Sequence, residues 1–377
     1  MSTGRKLRVA VIFGGRSGEH EISLQSAASV IRHLDPTRFE VVPVAIDKDG
    51  RWLLNDLSLI ETAKKSLTIF KDQPSVVLQP APSSEGGALI PIGNPRAPRM
   101  IDVVFPVMHG PLCEDGSIQG LFELADVPYV GCGVLASAVG MDKEVAKRLA
   151  RDRGIRIVPY VSLKKEMWKR DQNAASRQVE KEIGFPCFVK PVNLGSSVGV
   201  HKVKKAADLK AALEDAFQYD LKVLVEKAIN AREIELSALE NPDPGLPPRV
   251  SLPGEVIPTH EFYSYESKYL DENGAALKIP ADLTPAQVSE VQKMGREVFE
   301  ALECEGMARV DFFMDKTSGE IYFNEINTIP GFTSISMYPK MWEASGIKYM
   351  ELLSKLIDLA MARHKCKKAL VRDFHAK

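Results

Sequence analysis

Two neighbouring segments in the last quarter of the chain carry polar side chains at alternate positions of what otherwise look like buried strands. They are "ARVDFFM" and "EIYFNEIN". Because side chains alternate between the two faces of a strand, Arg309 shares a face with Asp311, and Glu325 shares a face with Asn327. Carboxylate and amide oxygens are ligands that suit Mg²⁺, which usually also binds water and substrate phosphates. The pattern therefore indicates a metal site on one face of a sheet.

A hairpin would bring these two segments together. The stretch Asp315–Gly319 between them has the composition of a tight turn. If Met314 pairs with Glu320, Asp311 and Glu325 become diagonal neighbours with their Cβ atoms roughly 7–8 Å apart. Two carboxylates at that separation repel each other unless a cation lies between them. The spacing alone leaves a second interpretation open, an exposed sheet face with a salt bridge from the nearby arginine.

The segment "VKPVNLGSSVGV" contains the parts of a phosphate site. Lys190 ends a strand-like run, and a lysine beside a glycine loop is a natural phosphate partner. Gly195 and Gly199 allow a ligand to approach the backbone, whose N–H groups can cradle phosphates. Ser196 and Ser197 add hydroxyl donors. The loop is not of the Walker A type, since no Gly-Lys-Ser/Thr follows, and a plain hairpin turn is the alternative for the loop on its own.

Three more carboxylates and a histidine lie at or near the ends of predicted strands and helices. Glu226 ends the run "VLVE", and Glu233 follows seven residues later. One carboxylate could accept a hydrogen bond from an adenine amino group and the other from ribose hydroxyls, but solvated strand-end charge is the alternative for this segment alone. Glu19 begins a helix, where the dipole favours it, and it could also hold a cationic ligand group. His109 lies at another strand tip, where a lone histidine is more often structural.

A frame of strands and helices must position these residues. The apolar run Leu7–Phe13 is typical of a parallel strand buried on both faces, and a helical pattern and a second strand, Phe39–Asp47, follow it. This β-α-β start predicts an α/β domain, which ends near Ala136–Met141. The Pro-, Ser- and Gly-rich stretch Leu67–Arg99 is expected to be an irregular insertion with one strand. The segment "GGRSGEHE" (Gly14–Glu21) after the first strand lacks G-x-G-x-x-G, so no dinucleotide site is predicted.

The remaining chain predicts further strands and helices. "MDKEVAKRLARDRG" predicts a helix that closes at Gly154, and strands are predicted over Phe185–Val192 and Lys222–Ile229. The later predicted elements are the strand "REIELSALE", a polar stretch from His260 to Ala281, a helix over Pro285–Leu302, the hairpin described above and a final helix over Tyr349–Arg363.

The composition is that of an ordinary globular protein, with 377 residues, 45% hydrophobic and 26% charged, and a formal net charge of −1. No basic excess favours nucleic acid or an anionic membrane, and no apolar run approaches the roughly 20 residues of a membrane helix. The five cysteines include no Cys-x-x-Cys pair, which fits reduced thiols and offers no zinc framework. We expect a cytoplasmic protein without nucleic-acid or membrane partners.

As an ordered set, the motifs closely resemble those of the D-alanine–D-alanine ligases of the ATP-grasp superfamily, from about Leu7 to Arg363. They are "FGGRSGEHEISLQSA", "HGPLCEDGSIQG", "MDK", "VKPVNLGSSVGV", "EFYSYESKYL", "ARVDFF" and "NEINTIPGFTSISMYP". The resemblance implies an α/β fold (mixed α+β) of three domains. These would be a Rossmann-like parallel-sheet domain with a D-alanine site at 1–140, a central ATP-grasp subdomain at 141–227, and a C-terminal subdomain with the metal and substrate sites at 228–377.

The resemblance also implies a role for each matching residue. The phosphates of ATP would be contacted by Lys143, Lys190, Ser197 and Lys268, the adenine by Glu226 and the backbone at Lys227, and the ribose by Glu233. Two Mg²⁺ ions, with Mn²⁺ as a substitute, would be ligated by Asp311, Glu325 and Asn327. The first D-alanine would be held by Glu19 near His109, and Ser196 and Tyr269 would link to Glu19 and close the site. The oxyanion would be stabilised by Arg309 and the Gly331 amide, and the second D-alanine would be bound by Ser336 and the Met337 amide.

The implied activity is ATP-dependent ligation of two D-alanine molecules through an acyl phosphate, for peptidoglycan precursor synthesis, by a homodimer. One alternative is another ATP-grasp carboxylate–amine ligase, such as a D-alanine–D-lactate ligase, which the set of Glu19, Ser196 and Tyr269 disfavours. Another is a nucleotide-binding regulator without chemistry, which the intact metal ligands and Arg309 disfavour. One departure is Cys113, which stands where the family usually has glycine, so a positive φ there would require a different loop.

Overall fold

The computed structural model describes residues 5–56, 65–82, 86–258 and 275–371. The first sheet consists of β1 (Leu7–Gly14), β2 (Phe39–Ile46), β3 (Trp52–Leu54) and β7 (Val103–Val107), with helix α1 (His20–His33) between β1 and β2. The strand order is β3-β2-β1-β7. β1 runs parallel to both β2 and β7, which confirms the predicted β-α-β unit. The centre of β1, Val9–Phe13, is fully buried, as expected of a strand that is covered on both faces.

A second sheet lies within the segment that was expected to be irregular. Its strands β4 (Val76–Leu78), β5 (Gly87–Pro91) and β6 (Arg99–Ile101) pair antiparallel in that order. The prediction of a single strand here was wrong. Strands of three to five residues, separated by Pro and Gly, show too little alternation to be detected as a pattern. Leu89 of β5 shares a core with Ile12 of β1, so the small sheet covers one face of the first sheet.

The central sheet has alternating faces that separate a core from a polar cleft. Its strands are β8 (Tyr160–Lys164), β9 (Cys187–Pro191), β10 (His201–Val203) and β11 (Lys222–Lys227), in the order β10-β9-β11-β8. The helices up to this point are α2 (Ser117–Leu124), α3 (Val134–Met141), α4 (Lys143–Asp152), α5 (Lys165–Arg170), α6 (Gln172–Glu182) and α7 (Ala206–Tyr219). Val189 and Val225 pack into the core with residues of α6 and α7. Lys190 and Glu226 therefore lie on the opposite face.

The largest sheet contains the predicted hairpin. Its strands are β12 (Ala231–Leu239), β13 (Arg249–Val250), β14 (Gly254–Pro258), β15 (Ala275–Lys278), β16 (Met307–Asp315) and β17 (Ile321–Asn327), and the helices that follow β15 are α8 (Pro285–Ala301), α9 (Met337–Ala344) and α10 (Tyr349–Lys368). The strand order is β15-β14-β12-β16-β17, with β13 on β12. Val310 and Phe312 pack into a core with residues of α8. Arg309 and Asp311 consequently face the other way.

The last helix returns to the first sheet. Leu353 and Ile357 of α10 share a core with Val9 and Phe13 of β1. The C-terminal helix therefore packs against the N-terminal sheet. The division of the chain at residues 140 and 227 stays a prediction. No helix in the described ranges is long and apolar enough to cross a membrane.

Arg363 fixes α10 to the segment that precedes α3 by a forked contact. Its guanidinium donates to the carbonyl of Gly131 at 2.6 Å and to that of Tyr129 at 2.7 Å, and it lies 4.8 Å from the centre of the Tyr129 ring. Glu305 lies 3.5 Å away as its counter-ion. A planar fork with several donors satisfies two carbonyls at once, which a lysine ammonium cannot do in the same geometry.

We predict that Arg363→Lys lowers the free energy of unfolding by about 1.5–3 kcal/mol, because one buried carbonyl loses its charged donor. Urea unfolding followed by circular dichroism measures the change. Lys365→Ala on the exposed side of the same helix is the control, and it should change stability by less than about 0.5 kcal/mol. Equal effects of the two substitutions would contradict the role given to the fork.

Candidate active site

The two carboxylates of the hairpin lie directly opposite each other. Asp311 on β16 pairs with Glu325 on β17, and Arg309 pairs with Asn327 one step further along. All four side chains lie on the face that points away from the core of the largest sheet. The predicted gathering of these residues on one face is confirmed, although their separation is shorter than a diagonal pairing would give.

A β-bulge produces this direct opposition. Met314 lies opposite Ile321, so the predicted pairing of Met314 with Glu320 was wrong. The register shifts between Asp311 and Phe312, which leaves Asn324 as the extra residue on β17. Without the extra residue a one-step slip would turn Glu325 to the opposite face. Bulges re-aim side chains in this way beside functional sites.

The guanidinium of Arg309 neutralises Asp311. Its Nε donates to Asp311 Oδ1 at 2.8 Å and its Nη2 donates to Oδ2 at 2.7 Å. Glu235 of β12 lies on the other side, with Oε2 at 3.1 Å from Arg309 Nε. Burial alone would lower the pKa of Arg309, but these two carboxylates raise it well above its usual range. Glu235 was not predicted as a site residue; its position two residues after Glu233 on the same strand was the available signal.

The donor set at the hairpin fits a divalent cation that is shared with a substrate. Asn327 Nδ2 donates to Asp311 Oδ2 at 3.0 Å, and the Lys143 ammonium lies 3.1 Å from Glu325 Oε2. These side chains offer hard oxygen donors. The negative charges of Asp311 and Glu325 are balanced by Arg309 and Lys143. Within the described ranges there is no cluster of three or more His, Cys, Asp or Glu side chains that could enclose a metal. Mg²⁺ commonly binds through one or two carboxylates and completes its shell with phosphate and water.

Glu226 of the central sheet is buried between two lysines. It is 1% exposed, so the interpretation of a solvated strand-end charge was wrong. Lys190 Nζ lies 2.5 Å from Oε2 and Lys147 Nζ lies 2.7 Å from Oε1. Burial alone would raise the pKa of Glu226, but the two ammonium groups lower it to about 2. The carboxylate is therefore ionised throughout the neutral range.

Lys147 was missed by the sequence reasoning. It lies on α4 one turn after Lys143, between the buried residues Ala146 and Ala150. A charged residue among small buried ones on a helix face was the signal that could have found it. Lys190 also contacts the hairpin, with its Nζ 5.5 Å from the centre of the Phe313 ring. The central and largest sheets thus face each other across a layer of lysines and carboxylates, which we call the cleft.

The backbone after Glu226 is partly engaged. The Lys227 amide donates to the carbonyl of Pro159 at 3.0 Å, and the Ala228 amide donates to that of Pro186 at 3.1 Å. The Lys227 side chain is exposed and Glu233 is half-buried. Burial alone would lower the pKa of Lys190, but nearby carboxylates raise it, and Glu233 is one of them. Glu233 therefore lies near Lys190, at the same end of the cleft.

The glycine loop is folded over Glu19. Ser196 Oγ donates to Glu19 Oε1, and the Lys143 ammonium donates to the carbonyl of Leu194 at 2.7 Å. Ser196 and Ser197 both have left-handed φ values, 53° and 57°, which cost non-glycine residues of the order of 1 kcal/mol or more each. The loop is therefore held by its contacts and not by its intrinsic preference. Lys268 and Tyr269, predicted to join it, lie outside the described residues.

His109 and Glu114 line the other side of Glu19. His109 Nδ1 bonds with the carbonyl of Ile329 at 3.0 Å, and burial lowers the pKa of His109. Glu114 accepts a hydrogen bond from the Gly110 amide at 2.7 Å. Burial, and next the charge of Glu19, raise the pKa of Glu114 to about 8. Glu114 was not predicted, although it lies within the quoted motif "HGPLCEDG".

The segment after the hairpin carries the last predicted residues. A Cβ atom at Gly331 would lie 2.7 Å from Ser336 Oγ, so a larger residue here would have to displace the Ser336 hydroxyl. Ser336 Oγ accepts a hydrogen bond from the Thr333 amide at 2.9 Å. Ser336 precedes helix α9, whose first residue is Met337. The amides at a helix start have no intrahelical partner, which makes this end suited to a carboxylate.

Cys113 does not need the backbone of a glycine. Within the described residues the left-handed φ values in this loop fall on Gly110, at 81°, Leu112, at 68°, and Gly116, at 90°. Cys113 is buried, its amide donates to the Gly110 carbonyl, and its own carbonyl accepts a hydrogen bond from Gln119. The expected difference in the loop is therefore not required.

Comparisons with known proteins agree over the whole chain. The family model described as "D-ala D-ala ligase N-terminus" matches residues 8–132, and that described as "D-ala D-ala ligase C-terminus" matches residues 149–358. The chain is 57% identical to the D-alanine--D-alanine ligase A of Bradyrhizobium diazoefficiens, covering 98% of this chain and 99% of that protein. It is 49% identical to the D-alanine--D-alanine ligase of Heliobacterium modesticaldum, covering 96% of each.

Solved structures give the same result. The D-alanine-D-alanine ligase from Coxiella burnetii superimposes with a TM-score of 0.80 at 36% identity over 96% of each chain. The VanG D-Ala:D-Ser ligase from Enterococcus faecalis superimposes with a TM-score of 0.81 at 36% identity, over 94% of this chain and 100% of that one. These matches confirm the expected mixed α/β fold of ATP-grasp ligases.

The pKa of Glu114 predicts a pH-dependent stability. Because the folded-state value of about 8 lies above the ordinary value of 4.5, the folded protein binds this proton more tightly. The free energy of unfolding should therefore fall as the pH rises through that window. Glu114→Gln does not titrate, so its stability relative to the wild type should rise by about 1.4 kcal/mol per pH unit within the window and level off above it.

Urea unfolding of both proteins from pH 5 to pH 9 measures this difference. Glu343→Gln, at an exposed position, is the control. A stability difference between Glu114→Gln and the wild type that does not change with pH would show that Glu114 is ionised in the folded protein throughout.

Proposed function

Since this chain belongs to the D-alanine–D-alanine ligase family, we propose that the cleft described above joins two D-alanine molecules to D-alanyl-D-alanine at the expense of ATP. Ligases of this family use ATP and act on small-molecule substrates. The observation that carries the proposal is the opposed pair Asp311 and Glu325, each held by a cation, Arg309 or Lys143. Such an arrangement suits a reaction that brings phosphates and carboxylates together.

ATP would lie between the central and largest sheets. Lys143 and Lys190 would contact its α- and β-phosphates, and each now rests against a carboxylate that it would share or exchange. Ser197 and the backbone of the glycine loop would close over the phosphates together with Lys268. The adenine would be recognised by Glu226 and the chain at Lys227, and the ribose by Glu233.

Asp311, Glu325 and Asn327 would hold two Mg²⁺ ions, for which Mn²⁺ would substitute. When bound, the ions neutralise phosphate charge, which together with positioning is most of what phosphoryl transfer needs. The guanidinium of Arg309 lies beside the carboxylate pair. In this scheme it would face the oxygen of the reacting carbonyl on which negative charge develops.

The reaction would have two steps. The carboxylate of the first D-alanine, held through its ammonium by Glu19 near His109, attacks the γ-phosphate of ATP and forms an acyl phosphate and ADP. The amine of the second D-alanine then attacks the acyl carbon, and inorganic phosphate leaves the tetrahedral intermediate. Arg309 and the Gly331 amide would stabilise the oxyanion, where one lost donor typically costs about 10²–10³ in rate.

The second D-alanine would be bound by its carboxylate at the start of α9. Ser336 offers its hydroxyl and Met337 its amide, and the helix dipole favours an anion there. An acyl phosphate hydrolyses in water, so the site must exclude it. The contact of Ser196 with Glu19 closes the cleft from one side, and Tyr269 would complete that closure.

The division into domains 1–140, 141–227 and 228–377, a homodimer and a cytoplasmic location belong to the same proposal. The matches of the two family models, to residues 8–132 and 149–358, support the boundary near 140, and the product would serve peptidoglycan precursor synthesis. An ADP-release assay with D-alanine, L-alanine and D-lactate, with the product identified by mass, tests the function. We expect D-alanyl-D-alanine; a depsipeptide formed from D-lactate in preference would indicate the D-alanine–D-lactate ligase instead.

We predict that Glu325→Gln lowers D-alanine-dependent ADP release by roughly 100-fold or more, because the metal face loses one of its two carboxylates. Glu320→Gln on the same hairpin is the matched control and should keep wild-type activity, since Glu320 is exposed. Circular dichroism should show the same fold for both. Near-normal turnover by Glu325→Gln would refute the metal site.

A further inference from the structure

Lys147 is a fully buried cation next to the proposed adenine site. It is 1% exposed and lies 2.7 Å from Glu226 Oε1. Its ammonium also donates to the carbonyl of Phe323 at 3.4 Å and lies 5.8 Å from the centre of that ring. In the described part of the chain it is the one lysine among the buried residues.

The position would ordinarily suit an apolar residue. Taking an ammonium out of water costs several kcal/mol, and a buried ion pair is often no more stable than an apolar pair of similar volume. The Lys147–Glu226 pair therefore adds little stability that an apolar pair of similar volume would not supply. A role in the function of Glu226 accounts better for its presence.

Glu226 pairs its two oxygens with two lysines that differ in exposure, 13% for Lys190 and 1% for Lys147. Lys190 holds Oε2, shares the cleft face of the central sheet, and would turn toward the phosphates of a bound nucleotide. Lys147 holds Oε1 from within the protein and has no open space to move into. When Lys190 engages a phosphate, Lys147 is the cation that remains to keep Glu226 ionised and oriented.

We propose that Lys147 is a positioning residue for base selection, which keeps Glu226 a pure hydrogen-bond acceptor so that the site takes a 6-aminopurine and rejects a 6-oxopurine. This inference rests on the proposed function, in which Glu226 meets the adenine. An ionised carboxylate can only accept hydrogen bonds. The amino group of adenine donates to it, whereas the 6-oxo group of hypoxanthine repels it. Sites that require a particular donor reject analogues that lack it strongly.

The test compares the binding of ADP and IDP. Position 6 of the purine carries an amino group in ADP and an oxo group in IDP, and the neighbouring N1 carries a proton only in IDP. Isothermal titration calorimetry with Mg²⁺ and without D-alanine measures both dissociation constants. The variants are Lys147→Met, Glu226→Gln and the double variant, with Arg148→Met as the control. Arg148 is an exposed neighbour on α4 that pairs with Glu144, so its loss should leave the preference for ADP unchanged.

We expect Lys147→Met to reduce the preference for ADP over IDP by about tenfold, mainly by weakening ADP, with kcat for D-alanine changed far less than KM for ATP. Glu226→Gln should abolish the preference. If Lys147 acts through Glu226, adding Lys147→Met to Glu226→Gln should change the ratio by less than about twofold, since coupled residues are not additive. In the double variant Lys190 is the charge that remains at this site, and it is more exposed than Lys147, so we expect this variant to fold even if Lys147→Met alone does not.

Two results would overturn the inference. One is an unchanged ADP preference in Lys147→Met; the other is an additive effect in the double variant, which would make Lys147 a structural residue only. No binding of ADP by the wild type would reject the inference together with the nucleotide site. A wild type that binds ADP selectively but does not ligate D-alanine would reject the proposed function alone.

Discussion

Charge neutrality inside the cleft is the constraint on which the rest of the site depends. A buried carboxylate without a cation would cost several kcal/mol, and Asp311, Glu325 and Glu226 each have one. Asp311 is paired within its own strand by Arg309. Glu325 and Glu226 receive theirs from α4, through Lys143 and Lys147. One helix thereby neutralises carboxylates on two different sheets and fixes how those sheets face each other.

The same constraint explains why a nucleotide and a divalent cation would bind together. A phosphate that draws Lys143 or Lys190 away leaves Glu325 or Glu226 short of positive charge. At the hairpin a divalent ion restores the balance, because Glu325 stands directly opposite Asp311. At Glu226 no second ion is needed, because Lys147 stays in place. The two ends of the cleft thus solve one electrostatic problem in different ways.

The sequence predicted which residues of the hairpin share a face, but it did not predict the register of the two strands. Alternation along two short strands was enough to place Arg309, Asp311, Glu325 and Asn327 on one face. The register was wrong because a bulge adds a residue without leaving a mark in the hydrophobic pattern. The three-stranded insertion was missed since its strands are too short to alternate visibly. Glu226 was open to interpretation as a solvated charge because burial at a strand end depends on which helix covers it.

Lys147 and Glu114 could not be identified as site residues from local pattern, and for the same reason. Each is a charged residue whose importance comes from a partner far along the chain, Glu226 for one and Glu19 for the other. A helix face with one lysine among alanines, or a glutamate in a loop, has many uses in an ordinary protein. Only the tertiary arrangement shows that these two ionisable side chains are buried.

Lys143 links the two halves of the proposed reaction. Its ammonium bonds at once to Glu325 on β17 and to the carbonyl of Leu194 at the base of the glycine loop. That loop reaches Glu19, the proposed holder of the first D-alanine, through Ser196. Because Ser196 and Ser197 are held in left-handed conformations that they do not prefer, the closed loop needs these contacts to persist. In the proposed scheme, a phosphate that competes for Lys143 would act on the loop as well as on the carboxylate, so nucleotide binding and closure over the substrate would be parts of one equilibrium.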